Sequence, residues 1–79
     1  MDSYKSIEEK LRKLEPFRGN SLHGLKNVDT DKLEVYSYNT TIGQALFIDG
    51  KIVVDYFNAD KYSVTTSRHQ NLIRKAWGI

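Results

Sequence analysis

The sequence predicts a single small α+β domain, in the order helix, three-stranded antiparallel meander, helix. Three observations carry this. Each end of the chain has a helical apolar stripe, the middle has three runs rich in β-branched and aromatic residues, and Asp49-Gly50 joins the last two runs. At 79 residues the chain fits one domain spanning 1–79. A domain of this size buries only about 60% of its unfolded surface, so its stability margin is thin.

The first helix is expected within residues 1–15. Ser6 and Glu9 have capping-box spacing, and Ile7, Leu11 and Leu14 follow at i, i+4 and i+7 on one inward face. Glu8 with Arg12 and Glu9 with Lys13 are i,i+4 pairs in the favourable orientation, and Pro16 closes the element by disfavouring helical geometry at Glu15. Residues 16–31 have no clean period. They predict an ordered loop pinned by Phe17, Leu22, Leu25 and Val28, with a short turn of strand near Leu22.

Residues 32–79 then supply the sheet and the last helix. LEVYSYN, IGQALFI and KIVVDYF read as strands, and Asp49-Gly50 is a strong two-residue hairpin signal, because a type I′ turn needs positive φ at both positions. That loop pairs Phe47 with Ile52, Ala45 with Val54 and Gly43 with Tyr56 on the core face. It puts Leu46 with Val53, Gln44 with Asp55 and Ile42 with Phe57 on the other face. A one-residue slip exchanges the faces of a strand, so burial of Leu33 and Val35 selects a three-residue loop, Asn39-Thr40-Thr41, for the first hairpin. Tyr36, Tyr38, Gln44, Lys51 and Phe57 then share a mixed aromatic and polar second face.

The last helix is expected to start near Thr66 or Ser67, with Ser67 and Gln70 at capping-box spacing. His69, Leu72, Ile73, Ala76 and Trp77 form its inward stripe, packed on the core face of the sheet. Arg68, Asn71 and Lys75 lie on the opposite side, with Gln70 and Arg74 on the flanks.

Charge is distributed unevenly. The chain carries a net +2, but residues 61–79 hold Lys61, Arg68, Arg74 and Lys75 and no acidic group. Such asymmetry bears on partners and association rate. There is no cysteine, which excludes disulfides and thiolate metal sites, and no apolar run long enough for a membrane span. The start has no signal-like apolar core, so a cytoplasmic protein without membrane contact is expected.

Enzymatic function is not expected. His23 and His69 have no partner at metal-ligand spacing, no G-x-x-x-x-G-K phosphate loop occurs, and no nucleophile has an evident base; neither metal nor cofactor is implied. One open arrangement is a convergence of Ser21, His23 and Asp29. Binding fits better. Thr65, Thr66 and Ser67 at a helix start suit a phosphate, and Arg68, Gln70, Asn71 and Arg74 are side-chain types that read base edges in a major groove. The element order is also that of double-stranded-RNA-binding domains, but their basic helix start and glycine-histidine loop are absent, so this likeness is topological. The sheet offers another surface, with Tyr36, Tyr38 and Phe57 as stacking platforms and Lys51 beside a phosphate. Tyrosine and arginine equally favour a protein interface.

FRGNSLHG, VYSYNTTIG and above all KYSVTTSRHQNLIRKA resemble a group of small uncharacterised proteins of bacteriophages and mobile elements, from about Phe17 to Ala76. The resemblance implies a small cytoplasmic, non-enzymatic protein that binds nucleic acid or a nucleoprotein, or that blocks a host defence complex such as a CRISPR effector. It supplies no functional residue, and it leaves the first helix outside the shared stretch.

Overall fold

The computed structural model describes residues 1–79. Its elements are α1 (Tyr4–Lys13), β1 (Phe17–Arg18), β2 (Leu22–Lys26), β3 (Leu33–Ser37), β4 (Thr40–Ile48), β5 (Lys51–Phe57) and α2 (Val64–Trp77). The strands form one antiparallel sheet in sequence order, so the meander has five strands where three were expected. The α+β class holds, while the likeness to the RNA-binding domains does not extend to this sheet.

The two additional strands lie in the segment expected to be an ordered loop, and β2 starts at Leu22, where a short turn of strand was expected. In β2 the inward positions are Leu22 and Gly24. Gly24 pairs with Phe17 of β1, and a Cβ there would stand 2.5 Å from the Phe17 ring. Phe17 therefore fills the inward position that Gly24 leaves vacant, and the alternation in LHGLK is invisible when β2 is read alone.

Ser3, rather than Ser6, caps α1, accepting from the Ser6 amide at 3.3 Å. Asp2 explains the earlier start. Its carboxylate accepts from Lys10 Nζ at 2.9 Å, Ser6 Oγ at 3.3 Å and the Arg18 amide at 3.0 Å, tying the N-terminus to both α1 and β1. The Arg18 amide, then the Lys10 ammonium, hold this carboxyl below its usual range. The expected stripe is present: Ile7, Leu11 and Leu14 are all buried.

Asp49 and Gly50 have φ of 53° and 77° and form the expected two-residue turn, with Ile48 opposite Lys51. Phe47 with Ile52, Leu46 with Val53 and Ala45 with Val54 also pair as expected. Beyond them Asp55 is an extra residue, so Gln44 pairs with Tyr56 and Gly43 with Phe57. The bulge corrects the expected faces: Phe57 turns inward against the core and Tyr56 outward. The preceding hairpin closes through Tyr38 and Asn39, not through a three-residue loop. Ser37 pairs with Thr40, and Ile42 is the extra residue that restores the parity burying Leu33 and Val35. The faces of these two residues are as expected, but the register differs. A bulge and a longer loop satisfy the same burial constraint, so the apolar pattern alone does not distinguish them.

Both helices cover one face of the sheet. Ile7 and Leu11 of α1, Leu14 at its C-cap, and Ile73, Ala76 and Trp77 of α2 join Phe17, Leu22, Leu33, Val35, Ile42 and Ala45 in one core. Trp77 closes it, with Nε1 donating to Leu11 O at 3.0 Å and its ring lying over Gly43. A Cβ on Gly43 would meet that ring at 2.9 Å. Gly43→Ala is therefore expected to lower unfolding stability by about 1–3 kcal/mol through overpacking, measured by urea denaturation followed by fluorescence of the single tryptophan.

Candidate functional site

α2 begins earlier than its sequence signals indicate. Ser63 is its N-cap, accepting from the Thr66 amide at 3.1 Å through Oγ and from the Ser67 amide at 2.9 Å through its carbonyl. The amides of Thr66 and Ser67, expected to face a phosphate, are thus occupied, and the Thr66 side chain is buried. Gln70 is also withdrawn. It is 4% exposed, and its Nε2 donates to the carbonyls of Asn58 at 2.7 Å and Asp60 at 2.9 Å. Gln70 therefore ties the segment after β5 to the helix and has no capacity left to read a base.

The solvent side of α2 carries the other expected residues. Arg68, Asn71, Arg74 and Lys75 are exposed and Ser67 is half-buried. Arg68, Asn71 and Lys75 line a shallow depression with Leu72 and with Tyr4 of α1, a residue that sequence reasoning did not single out. Arg74 is held more firmly. Its Nη1 donates to Asn71 Oδ1 at 3.0 Å and its guanidinium lies 5.1 Å from the centre of the Phe57 ring. Lys75 pairs at 3.3 Å with Glu8, which also pairs with Arg12. The tail's positive charge is thus partly balanced from α1, and Arg68 makes no ion pair.

The expected sheet site is dispersed. Phe57 lies on the helix side, Tyr38 stands in a turn with φ 56°, and Lys51 is exposed at the far hairpin. Gln44 is half-buried on the uncovered face. Tyr36 shares that face and already stacks on His23, with ring centres 5.1 Å apart and planes inclined by 16°. Its hydroxyl donates to Glu34 at 3.0 Å; this bond, with burial, raises its pKa. Ser21 and Asp29 lie at opposite ends of β2, so the arrangement with His23 does not assemble.

His69 is 1% exposed, and Nδ1 meets Ser37 Oγ at 2.7 Å. Ser37 Oγ also contacts Thr66 Oγ1 at 3.1 Å, which accepts from Ser63 Oγ at 3.2 Å. This resembles a nucleophile and base by residue type, but Ser37 is buried as deeply as His69. The arrangement is a polar link between sheet and helix. Ser37 sits at the same inward parity as Leu33 and Val35, and a serine on a core face requires a polar partner. That signal was available in the sequence.

The chain matches the model of a family of unknown function, DUF8033, over residues 1–77. It belongs to that family. The match takes in the first helix, which the resemblance noted above left out. No curated protein and no solved structure matches the chain. No helix is long and apolar enough to cross a membrane.

Two outcomes are expected for the polar link. Ser37→Ala strands His69 Nδ1 and should cost about 1–3 kcal/mol in chemical denaturation. Burial lowers the His69 pKa from its ordinary 6.5, so the folded state holds the neutral ring. The resulting stability is present above pH ~6.5 and is lost as pH falls from there through the lowered folded value, at up to about 1.4 kcal/mol per pH unit. Denaturation curves between pH 5 and 8 should show this slope in the native chain and not in His69→Gln.

Proposed function

We propose that this chain is a non-enzymatic binding module that contacts nucleic acid, or a nucleoprotein, through the exposed side of α2. The observation that carries this reading is the row Arg68, Asn71, Arg74 and Lys75 along one helix, in a C-terminal segment with no acidic residue. Phosphates are the natural counter-charge for such a row, and Tyr4 beside Arg68 adds a ring on which a base or sugar can rest. Gln70 and Phe57 are not included in this site, since both are committed to packing. Lys75 joins it by exchanging Glu8 for phosphate.

A second reading is a phage-type inhibitor that binds a host defence protein. The uncovered sheet face favours it, because Leu25, Val53 and Tyr56 are exposed there beside Tyr36. Arginine and tyrosine anchors serve such an interface as well as they serve nucleic acid.

Binding to a DNA duplex, a DNA single strand and an RNA duplex across a salt series tests the first reading. Affinity is expected to fall with salt at a log–log slope of about −0.9 per duplex phosphate contacted. Replacing Arg68, Arg74 and Lys75 together with glutamine should weaken binding at least tenfold and flatten that slope, with the circular dichroism spectrum unchanged. Native-like affinity in the triple variant rejects the α2 site. Capture of a host protein from nuclease-treated lysate, lost on Tyr56→Asp but not in the triple variant, would favour the sheet face instead.

A further inference from the structure

The sheet order leaves β1 and β5 as edges, and they differ in kind. β1 is two residues long, whereas β5 has seven. Long edge strands are usually blunted by proline, charge or a covering element, since their free N–H and C=O groups pair readily with another strand. The centre of β5, Ile52-Val53-Val54, has neither proline nor charge.

Which groups face outward follows from the hairpin. In a two-residue turn the flanking residues form a hydrogen-bonded pair, so Ile48 and Lys51 direct their backbone groups at each other, as do Leu46 and Val53 two residues on. The intervening Ile52 and Val54 therefore point their N–H and C=O away from β4. No hydrogen bond from outside the ladder reaches either residue. On the uncovered face Val53 is 39% exposed and Ile48 49% exposed, while Phe47 beside Ile52 is 42% exposed.

The residues flanking Val53 decide what fits this edge. Lys51 and Asp55 lie two positions to either side, and the bulge keeps Asp55 on the uncovered face, where it reaches Lys32 at 2.7 Å. Turned end for end about Val53, the strand is its own complement: lysine meets aspartate, and isoleucine meets valine. This is the property that a two-fold contact requires.

We propose that β5 pairs antiparallel with β5 of a second copy about a two-fold axis at Val53, joining two five-stranded sheets into one of ten strands. Ile52 exchanges both backbone hydrogen bonds with the partner's Val54. Val53 faces the partner's Val53 as a non-hydrogen-bonded pair, and Lys51 faces the partner's Asp55. Asp55 is 46% exposed at its side chain, leaving an open side for that lysine while it holds Lys32. The contact stands apart from the α2 face and does not depend on what that face binds.

The chain has no cysteine, so engineered thiols report the register directly. Opposed residues of a non-hydrogen-bonded antiparallel pair have Cα atoms about 4.5 Å apart, within disulfide reach. Val53→Cys is expected to cross-link to a dimer in a glutathione redox buffer at micromolar protein. Lys51→Cys and Asp55→Cys should stay uncross-linked alone and form a mixed disulfide together, and Asn39→Cys, at a distant turn, should remain monomeric. The native chain should sediment as a dimer at tens of micromolar. Lys51→Asp and Asp55→Lys should each raise the dimer dissociation constant about tenfold, and mixing them should restore association. A native chain that stays monomeric at hundreds of micromolar overturns the proposal. So does self-cross-linking of Lys51→Cys without the mixed disulfide, which would indicate a different register.

Discussion

The fold depends on the placement of one indole. Trp77 occupies the space that Gly43 leaves by having no side chain, and its Nε1–H reaches the Leu11 carbonyl near the end of α1 at 3.0 Å. One side chain of the last turn of α2 thus contacts β4 of the sheet and the C-terminal turn of α1. In so small a domain no second layer can take over this role, because little apolar surface is available beyond a single core. The requirement works in both directions. A Cβ at Gly43 would meet the ring at 2.9 Å, and a shift of the ring perturbs its bond to Leu11.

Packing both helices on one face has two consequences. The polar groups admitted to the core are tied by hydrogen bonds, as Ser37, Thr66 and His69 Nδ1 are with Ser63 at the helix cap and Gln70 is with backbone carbonyls. That chain of hydroxyls ends on a ring whose Nε2 is buried with no hydrogen-bond partner in the protein, so the neutral imidazole is favoured over the charged one. The other consequence is that the opposite sheet face and the long edge of β5 have no cover. They present Leu25, Val53 and Tyr56, while the cations of α2 point away at the other side of the molecule. The α2 cations and the exposed residues of the sheet therefore lie on different faces of the molecule.

Within α2 the helical period places most residues, though Gln70 is buried and Leu72 half-buried, and neighbours change what each can do. Arg68 is free of ion pairs, Arg74 lies on Phe57, and Lys75 shares Glu8 with Arg12. Gln70, equally polar in sequence, spends both amide hydrogens on the backbone that follows β5. A row of four similar side chains in sequence is thus a graded row in space, with Arg68 the most available to an anion.

By itself the sequence determined the α+β class, the inward stripes of both helices, the turn at Asp49-Gly50 and the exposed positions of Arg68, Asn71, Arg74 and Lys75. All of these rest on local geometry: a helical period, or the φ that a two-residue turn demands. Only the tertiary structure decided β1, the extent of β2 beyond the short strand expected near Leu22, the bulges at Ile42 and Asp55, the roles of Gln70 and Phe57, and which partner satisfies Ser37. Each of those depends on a residue far away in the chain. Gly24 is inward because Phe17 fills its place, Phe57 turns inward because Asp55 is looped out against β4, and Ser37 is tolerated in the core because His69 arrives from α2. A single strand's alternation does not encode the neighbour that completes it, and that physical fact divides what was legible from what was not.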